Sequence, residues 1–341
     1  QAAPDRVLPQ VRYQSFADTD YYGSDLHALF DTDLRSCVRA CSANRDCAGF
    51  SFNSKANACF PKSGMKEATP YQGAISAVKI PLPAALEVAA RKRMEAAHFL
   101  RAQDFEAALR QATEIGLRYP SYGASLDEMI RSGRMQARSG NAQNAIGWLS
   151  AAVAITDDPV LWGEISTLWL RFAERGNQDN RSRREAALSA ALNAYLRADV
   201  LPLQADALQR AARALERLGR GRDMLPTLRL AQDLAPRPET AALLDEAIGK
   251  YGFRVTDSSV ESDSASPRIC MEFSEELQRS GVDYGDYVKG MDAGLAVVAT
   301  GRQLCLDGVE HGNRNRIALR WVLPAASGDA LSCEVEVTHD F

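Results

Sequence analysis

Four cysteines fall within the first sixty residues: Cys37, Cys41, Cys47 and Cys59. Such an even cluster either ligates a metal or forms a disulfide framework. Zinc sites bring their ligands in tight pairs, and this run has gaps of three, five and eleven residues with no histidine inside it. The spacing therefore favours disulfides. Closing a loop of this size stabilises a small domain by about 3 kcal/mol. The remaining reactive residues are scattered. His27, His98, His311 and His339 make no helical H-x3-H pair. Cys333 and His339 are six residues apart, too far along one strand for a thiolate and its base. Arg217-Leu218-Gly219-Arg220-Gly221-Arg222 lacks the Walker spacing and a preceding strand, so it reads as a basic interhelix turn. Asp257, Glu261 and Asp263 lack the glycine and terminal glutamate of a calcium loop. With no acid, base and nucleophile in one constellation, the sequence is read as non-enzymatic, without cofactor or metal.

The elements around the cysteines follow from local spacing. Cys37 and Cys41 are four apart and share one face of a helix. From Cys47 the pattern alternates, with Phe50 and Phe52 opposite Ser51 and Asn53, as in a strand. Cys59-Phe60 borders the next one. Together with Asp20-Tyr21-Tyr22-Gly23-Ser24-Asp25-Leu26, Pro61-Lys62-Ser63-Gly64 and Gly73-Ala74-Ile75-Ser76-Ala77, this stretch (about residues 11 to 80) resembles a PAN/apple domain. The resemblance implies the pairs Cys37–Cys59 and Cys41–Cys47, and a domain that binds proteins or carbohydrate. Tyr21 and Tyr22 are its exposed-aromatic candidates for recognition, with packing on the sheet as their other role.

Beyond the stiff linker Ile80-Pro81-Leu82-Pro83, residues 84–252 read as helix. Phe105, Ala108, Leu109, Ala112 and Ile115 form one apolar stripe, and Leu208, Ala211, Ala212 and Leu215 another. Pro120, Pro159, Pro202 and Pro236 punctuate the segment, alternating with turn signals at Gln103-Asp104, Gly140-Asn141, Gly176-Asn177 and Gly219-Arg220. The segment resembles tetratricopeptide-type repeats, most clearly from Ser139 to Pro159, and is expected to be a TPR-like solenoid of about four hairpins. Such a stack serves as a binding groove or as a spacer.

Residues 253–341 switch to strand periodicity. Strands are expected at 253–257, 268–273, 296–299, 303–306, 317–322 and 333–337, with a short helix between Glu275 and Met291. The chain is thus read as multidomain α+β: a disulfide-stapled apple domain (1–80), an all-α TPR-like solenoid (84–252) and an all-β sandwich (253–341). The last segment carries eight basic and fifteen acidic residues, which argues against a nucleic-acid partner. No apolar run is long enough to span a membrane.

The domain order, with Pro267-Arg268-Ile269-Cys270-Met271-Glu272-Phe273-Ser274 and Gly301-Arg302-Gln303-Leu304-Cys305-Leu306-Asp307-Gly308, resembles the N-terminal region of bacterial alpha-2-macroglobulin-family proteins. That resemblance implies a periplasmic or secreted endopeptidase inhibitor, with proteases or envelope proteins as partners. The family's Cys-x-Glu-Gln thioester is absent from this sequence. Cys270 and Cys305 fall on two expected strands and either bridge them or stay as buried thiols; an oxidising compartment favours the bridge. Cys333 is left as a free or externally paired thiol. A signal peptide is expected to have been removed before Gln1, and a continuation is expected beyond Phe341. The alternative readings are a secreted adhesion module that binds protein or carbohydrate, and an assembly scaffold.

Overall fold

The computed structural model describes residues 6–174, 180–261, 267–289, 295–309, 314–331 and 334–340. The chain divides into two compact units, Gln1–Ala241 and Ala242–Phe341.

The first unit opens with an antiparallel sheet. Its strands are β1 (Val11–Tyr21), β2 (Gly49–Asn53), β3 (Ala58–Lys62) and β4 (Ala68–Pro81), in the order β1-β4-β2-β3. Helix α1 (Leu34–Ala43) starts at Asp33, whose carboxylate accepts the Ser36 amide at 2.7 Å. Its two buried residues are Cys37 and Cys41. Disulfides Cys37–Cys59 and Cys41–Cys47 tie this helix to β3 and to the segment entering β2. Tyr13, Phe50 and Phe52 complete the small core around them.

Nine further helices follow among the described residues: α2 (Ala84–Ala96), α3 (Ala102–Arg118), α4 (Leu126–Arg138), α5 (Ala142–Thr156), α6 (Pro159–Glu174), α7 (Arg181–Arg197), α8 (Leu201–Arg217), α9 (Gly221–Leu234) and α10 (Pro238–Tyr251). The unit boundary falls within α10. The sequence stripes are buried as the helical period requires, apart from Leu109, which is half-buried. Gln103-Asp104 is not a turn. It lies in the first turn of α3, where the Asp104 carboxylate accepts the Arg101 amide at 3.1 Å. Pro159 and Pro202 open helices, where proline's missing N–H has no cost, rather than closing units.

The array also departs from a simple stack, in which each hairpin meets only its neighbours. Helix α3 packs against both α5 and α7. Every residue of α7 from Ala187 to Arg197 is buried, as in a helix surrounded on all sides. Asn193 is fully buried there, and donates to the Ala108 carbonyl at 2.9 Å and to Gln111 Oε1 at 3.2 Å on α3.

The second unit contains two antiparallel sheets around one core. One has the order β5-β6-β9-β8, from β5 (Val255–Glu261), β6 (Arg268–Phe273), β8 (Ala296–Thr300) and β9 (Gln303–Asp307). The other has the order β11-β10-β7, from β7 (Val288–Lys289), β10 (Arg314–Leu319) and β11 (Val335–Asp340). Ile269, Phe273 and Leu306 of the first sheet and Ile317, Leu319 and Val337 of the second share the core. Cys270 and Cys305 are directly opposed on β6 and β9 and form a disulfide. A single 3-10 turn, Tyr284–Tyr287, stands where a short helix is expected. Trp321 and Val322 do not extend β10; they form an exposed turn, with Val322 at φ 75°. Cys333 and His311 lie outside the described residues, as does Asp263.

Candidate functional site

The apple-type sheet and the helices meet along β1. Tyr13 turns into the small core, with its ring 5.6 Å from Phe50 and its hydroxyl 2.8 Å from Ser42 Oγ. The backbone of β1 meets α3 at Gly116, where a Cβ would overlap the Tyr13 carbonyl oxygen. Ser15 Oγ donates to the Gly116 carbonyl, and the Ser121 amide donates to the Ser15 carbonyl at 3.0 Å. On the other side of β1, Arg12 enters the helices. Its guanidinium donates to the Ala154 and Ile155 carbonyls at 2.7 and 3.2 Å, closing the C-terminus of α5. Arg12 also lies 3.5 Å from Asp157, which is 2.5 Å from Arg197 Nε and accepts from the indole of Trp162 at 3.1 Å. Burial lowers the pKa of Arg12; Asp157 opposes that effect and Arg197 adds to it. Two buried cations thus share one carboxylate, joining β1, α5 and α7. Ahead of β1, the Val7 and Leu8 amides donate to the Glu87 carboxylate on α2 at 3.1 and 3.0 Å.

With the first unit held this way, a groove runs along the open face of α3. Its middle is a 720 Å³ cavity between α3, α5, α6 and α7, with Ile115, Ile146, Trp169 and Phe172 as its apolar wall. Arg183 stacks 3.7 Å above the Phe172 ring and donates to the Phe172 carbonyl at 3.3 Å. Ser150, 1% exposed, lines this cavity, and its hydroxyl has no hydrogen-bond partner among the described residues. One end continues through Glu185 and Ser189 into a 420 Å³ hollow with Arg101, Arg110, Arg181 and Arg220 against Asp104 and Glu185. Burial alone would lower the pKa of Arg220. Its hydrogen bonds to Asp104 and Asp223 outweigh that and hold it above the ordinary value. The other end continues past Arg118, Tyr119 and Gln143 into a 310 Å³ hollow with Tyr122 and Trp148. Burial raises the pKa of Tyr119.

Of the aromatic pair singled out in the sequence, Tyr21 is half-buried, with its ring 5.9 Å from Phe16. Tyr22 is 83% exposed. Only a few groove residues figure in the sequence reading, and in other roles: Ile115 in an apolar stripe, Gln103, Asp104 and Arg220 in turn signals. Phe172 continues the period of Leu161, Ile165 and Leu168 on α6, and both Trp169 and Phe172 pack partly against the helical core, so no sequence pattern marks them as groove residues. No group of three or more His, Cys, Asp or Glu among the described residues is placed to hold a metal. No described helix is long and apolar enough to cross a membrane. Three disulfides accord with an extracellular or secreted location.

Residues 19–69 match the PAN domain family, so the chain carries a PAN domain near its start. No curated protein is significantly similar to the chain, and none of the comparisons supports the macroglobulin resemblance. Among solved structures, the chain is similar to the Arabidopsis OM64 TPR domain, at 17% identity and a TM-score of 0.31 over 37% of this chain and 95% of that one. It is also similar to the N-terminal domain of stress-induced protein-1 (STI-1) from C. elegans, at 14% identity and a TM-score of 0.29 over 36% of this chain and 93% of that one.

Proposed function

We propose that the protein is a non-catalytic binding protein whose α3 groove holds an extended segment of a partner protein, with the PAN domain presented rigidly beside it. The observation that carries this reading is the continuity of the three hollows along α3. From Arg101 to Arg118 the helix is about 25 Å long at 1.5 Å per residue. A strand rising about 3.3 Å per residue would fill that length with roughly eight residues. The aromatic half suits apolar or proline side chains, and side-chain donors lining it such as Gln143 suit the carbonyls of an extended chain. The orphaned Ser150 hydroxyl is a buried polar group that an occupant could satisfy. Selection from a displayed library of random twelve-residue peptides tests the reading. Enriched peptides should bind the wild-type chain at least tenfold more tightly than Tyr122→Ala or Trp169→Ala. The reading fails if nothing enriches, or if enriched peptides bind the variants equally well.

At a finer level, we propose that these units form the N-terminal region of a secreted or periplasmic alpha-2-macroglobulin-type endopeptidase inhibitor, in which they bind or position rather than trap. The support is the strand segments quoted around Cys270 and Cys305 and the order of the domains. A coding sequence that continues into repeated macroglobulin-type β domains supports this proposal; one without them contradicts it and leaves the adhesion-module or scaffold role.

A further inference from the structure

The PAN sheet carries a second, independent hollow of 210 Å³. Its floor is Phe52 and Ala74, both buried, and its walls are Phe60 and Tyr71. Most of its polar groups are already engaged. Ser51 Oγ lies 2.7 Å from Ser76 Oγ and accepts the Tyr21 amide at 3.2 Å. Asn53 Oδ1 accepts the Lys55 and Ala56 amides at 3.0 and 3.1 Å, and Asn53 Nδ2 donates to the Tyr71 hydroxyl at 3.3 Å. The exception is Asp20, the single charged residue of the lining, whose carboxylate meets no donor among the described residues. Lys62 lies 6.0 Å from the Phe60 ring, but its ammonium is bound by Asp25 at 2.5 Å and by the Gly23 carbonyl at 3.3 Å. The hollow thus offers ring faces and an anionic acceptor; the Asn53 oxygen is engaged, while the Tyr71 hydroxyl, an acceptor from Asn53, keeps its own proton to donate.

An anionic carboxylate beside aromatic faces matches a cation. We propose that this hollow is a subsite for an arginine side chain projecting from a partner protein, its guanidinium stacked between Phe60 and Tyr71 and paired with the Asp20 carboxylate. Charge complementarity fixes the sign of the occupant. The flat ring walls and the need for several donors toward one carboxylate favour guanidinium over ammonium.

The test is an amide NMR titration of the full chain with Nα-acetyl-arginine methylamide, using the citrulline analogue and methyl glucoside as neutral probes. Saturable shifts are expected at residues 20, 52, 53, 60 and 71 with the arginine probe, at least fivefold weaker with citrulline and lost in Asp20→Asn. Tyr71→Ala, at an exposed position, provides a second variant that should also lose binding if Asp20→Asn disturbs the fold. Absence of saturable shifts, equal response to citrulline, or a response to glucoside alone would overturn the subsite. The α3 groove shares no residue with this hollow, so either reading can fail without the other.

Discussion

Asp157 caps α5 in a left-handed conformation, φ 56°, which a short polar side chain tolerates. There it neutralises one of two buried arginines and fixes the indole of Trp162. Removing one member of a buried charged set costs about 3–5 kcal/mol, because the others stay buried without compensation. Asp157→Asn is therefore expected to lower stability by an amount of that order in urea denaturation, more than Arg12→Met, which removes one of the two cations. Tyr195 is the second residue with a measurable signature. Burial pushes its hydroxyl up to about 12, and it donates to the Arg93 carbonyl at 3.1 Å. A folded-state value above the unfolded one near 10 means that the folded chain holds its proton more tightly. Its contribution is complete below about pH 10 and is lost as pH rises toward 12. Stability measured from pH 9 to 12 should fall, and the fall should be smaller in Tyr195→Phe. The cysteines of α1 were legible because their chemistry and spacing are local. The Arg12–Asp157–Arg197 set was not, since its members are distant in sequence and each looks like an ordinary surface charge.

Among elements, β1 is the one whose role the sequence conceals. Arg12 has no role in the sequence reading; in the fold its guanidinium reaches the helices, donating to the Ala154 carbonyl. A glycine inside a helix carries a conformational cost, and Gly116 is where the backbones of β1 and α3 come together. Gly116→Ala should separate the PAN sheet from the helices. Amide hydrogen exchange along β1 is expected to accelerate, while α8 and α9 keep their protection; unchanged exchange in β1 would contradict the packing described. The buried faces of α3 and α8 were legible from the 3.6-residue period, whereas α7, buried on all sides from Ala187 to Arg197, shows no single face. The packing of α3 onto α7 was not legible, because a stripe shows that a face is buried without showing what buries it. Val322 illustrates another limit: the apolar run continues past Leu319, but the chain turns there with a positive φ that β-branched residues rarely adopt.

At the scale of the molecule, six of the seven cysteines are paired, and Cys333 is outside the described residues. Thiol counting under denaturing conditions without reductant should find at most one free thiol; four or more would contradict the disulfide framework. The composition of the three segments made the succession from stapled sheet to helices to strands legible. It could not reveal that the PAN sheet and the helices form one compact unit, since the β1 junction depends on contacts between distant residues. The groove along α3 escaped for the same reason, being assembled from four helices. Its polarity, basic near Arg110 and aromatic near Tyr122, makes the account's central claim measurable in one experiment. A fluorescently labelled peptide selected by the wild-type chain is titrated by anisotropy against wild type, Arg110→Glu and Tyr122→Ala. The account predicts at least a tenfold loss of affinity from either end of the groove. Affinity unchanged in both variants would contradict it.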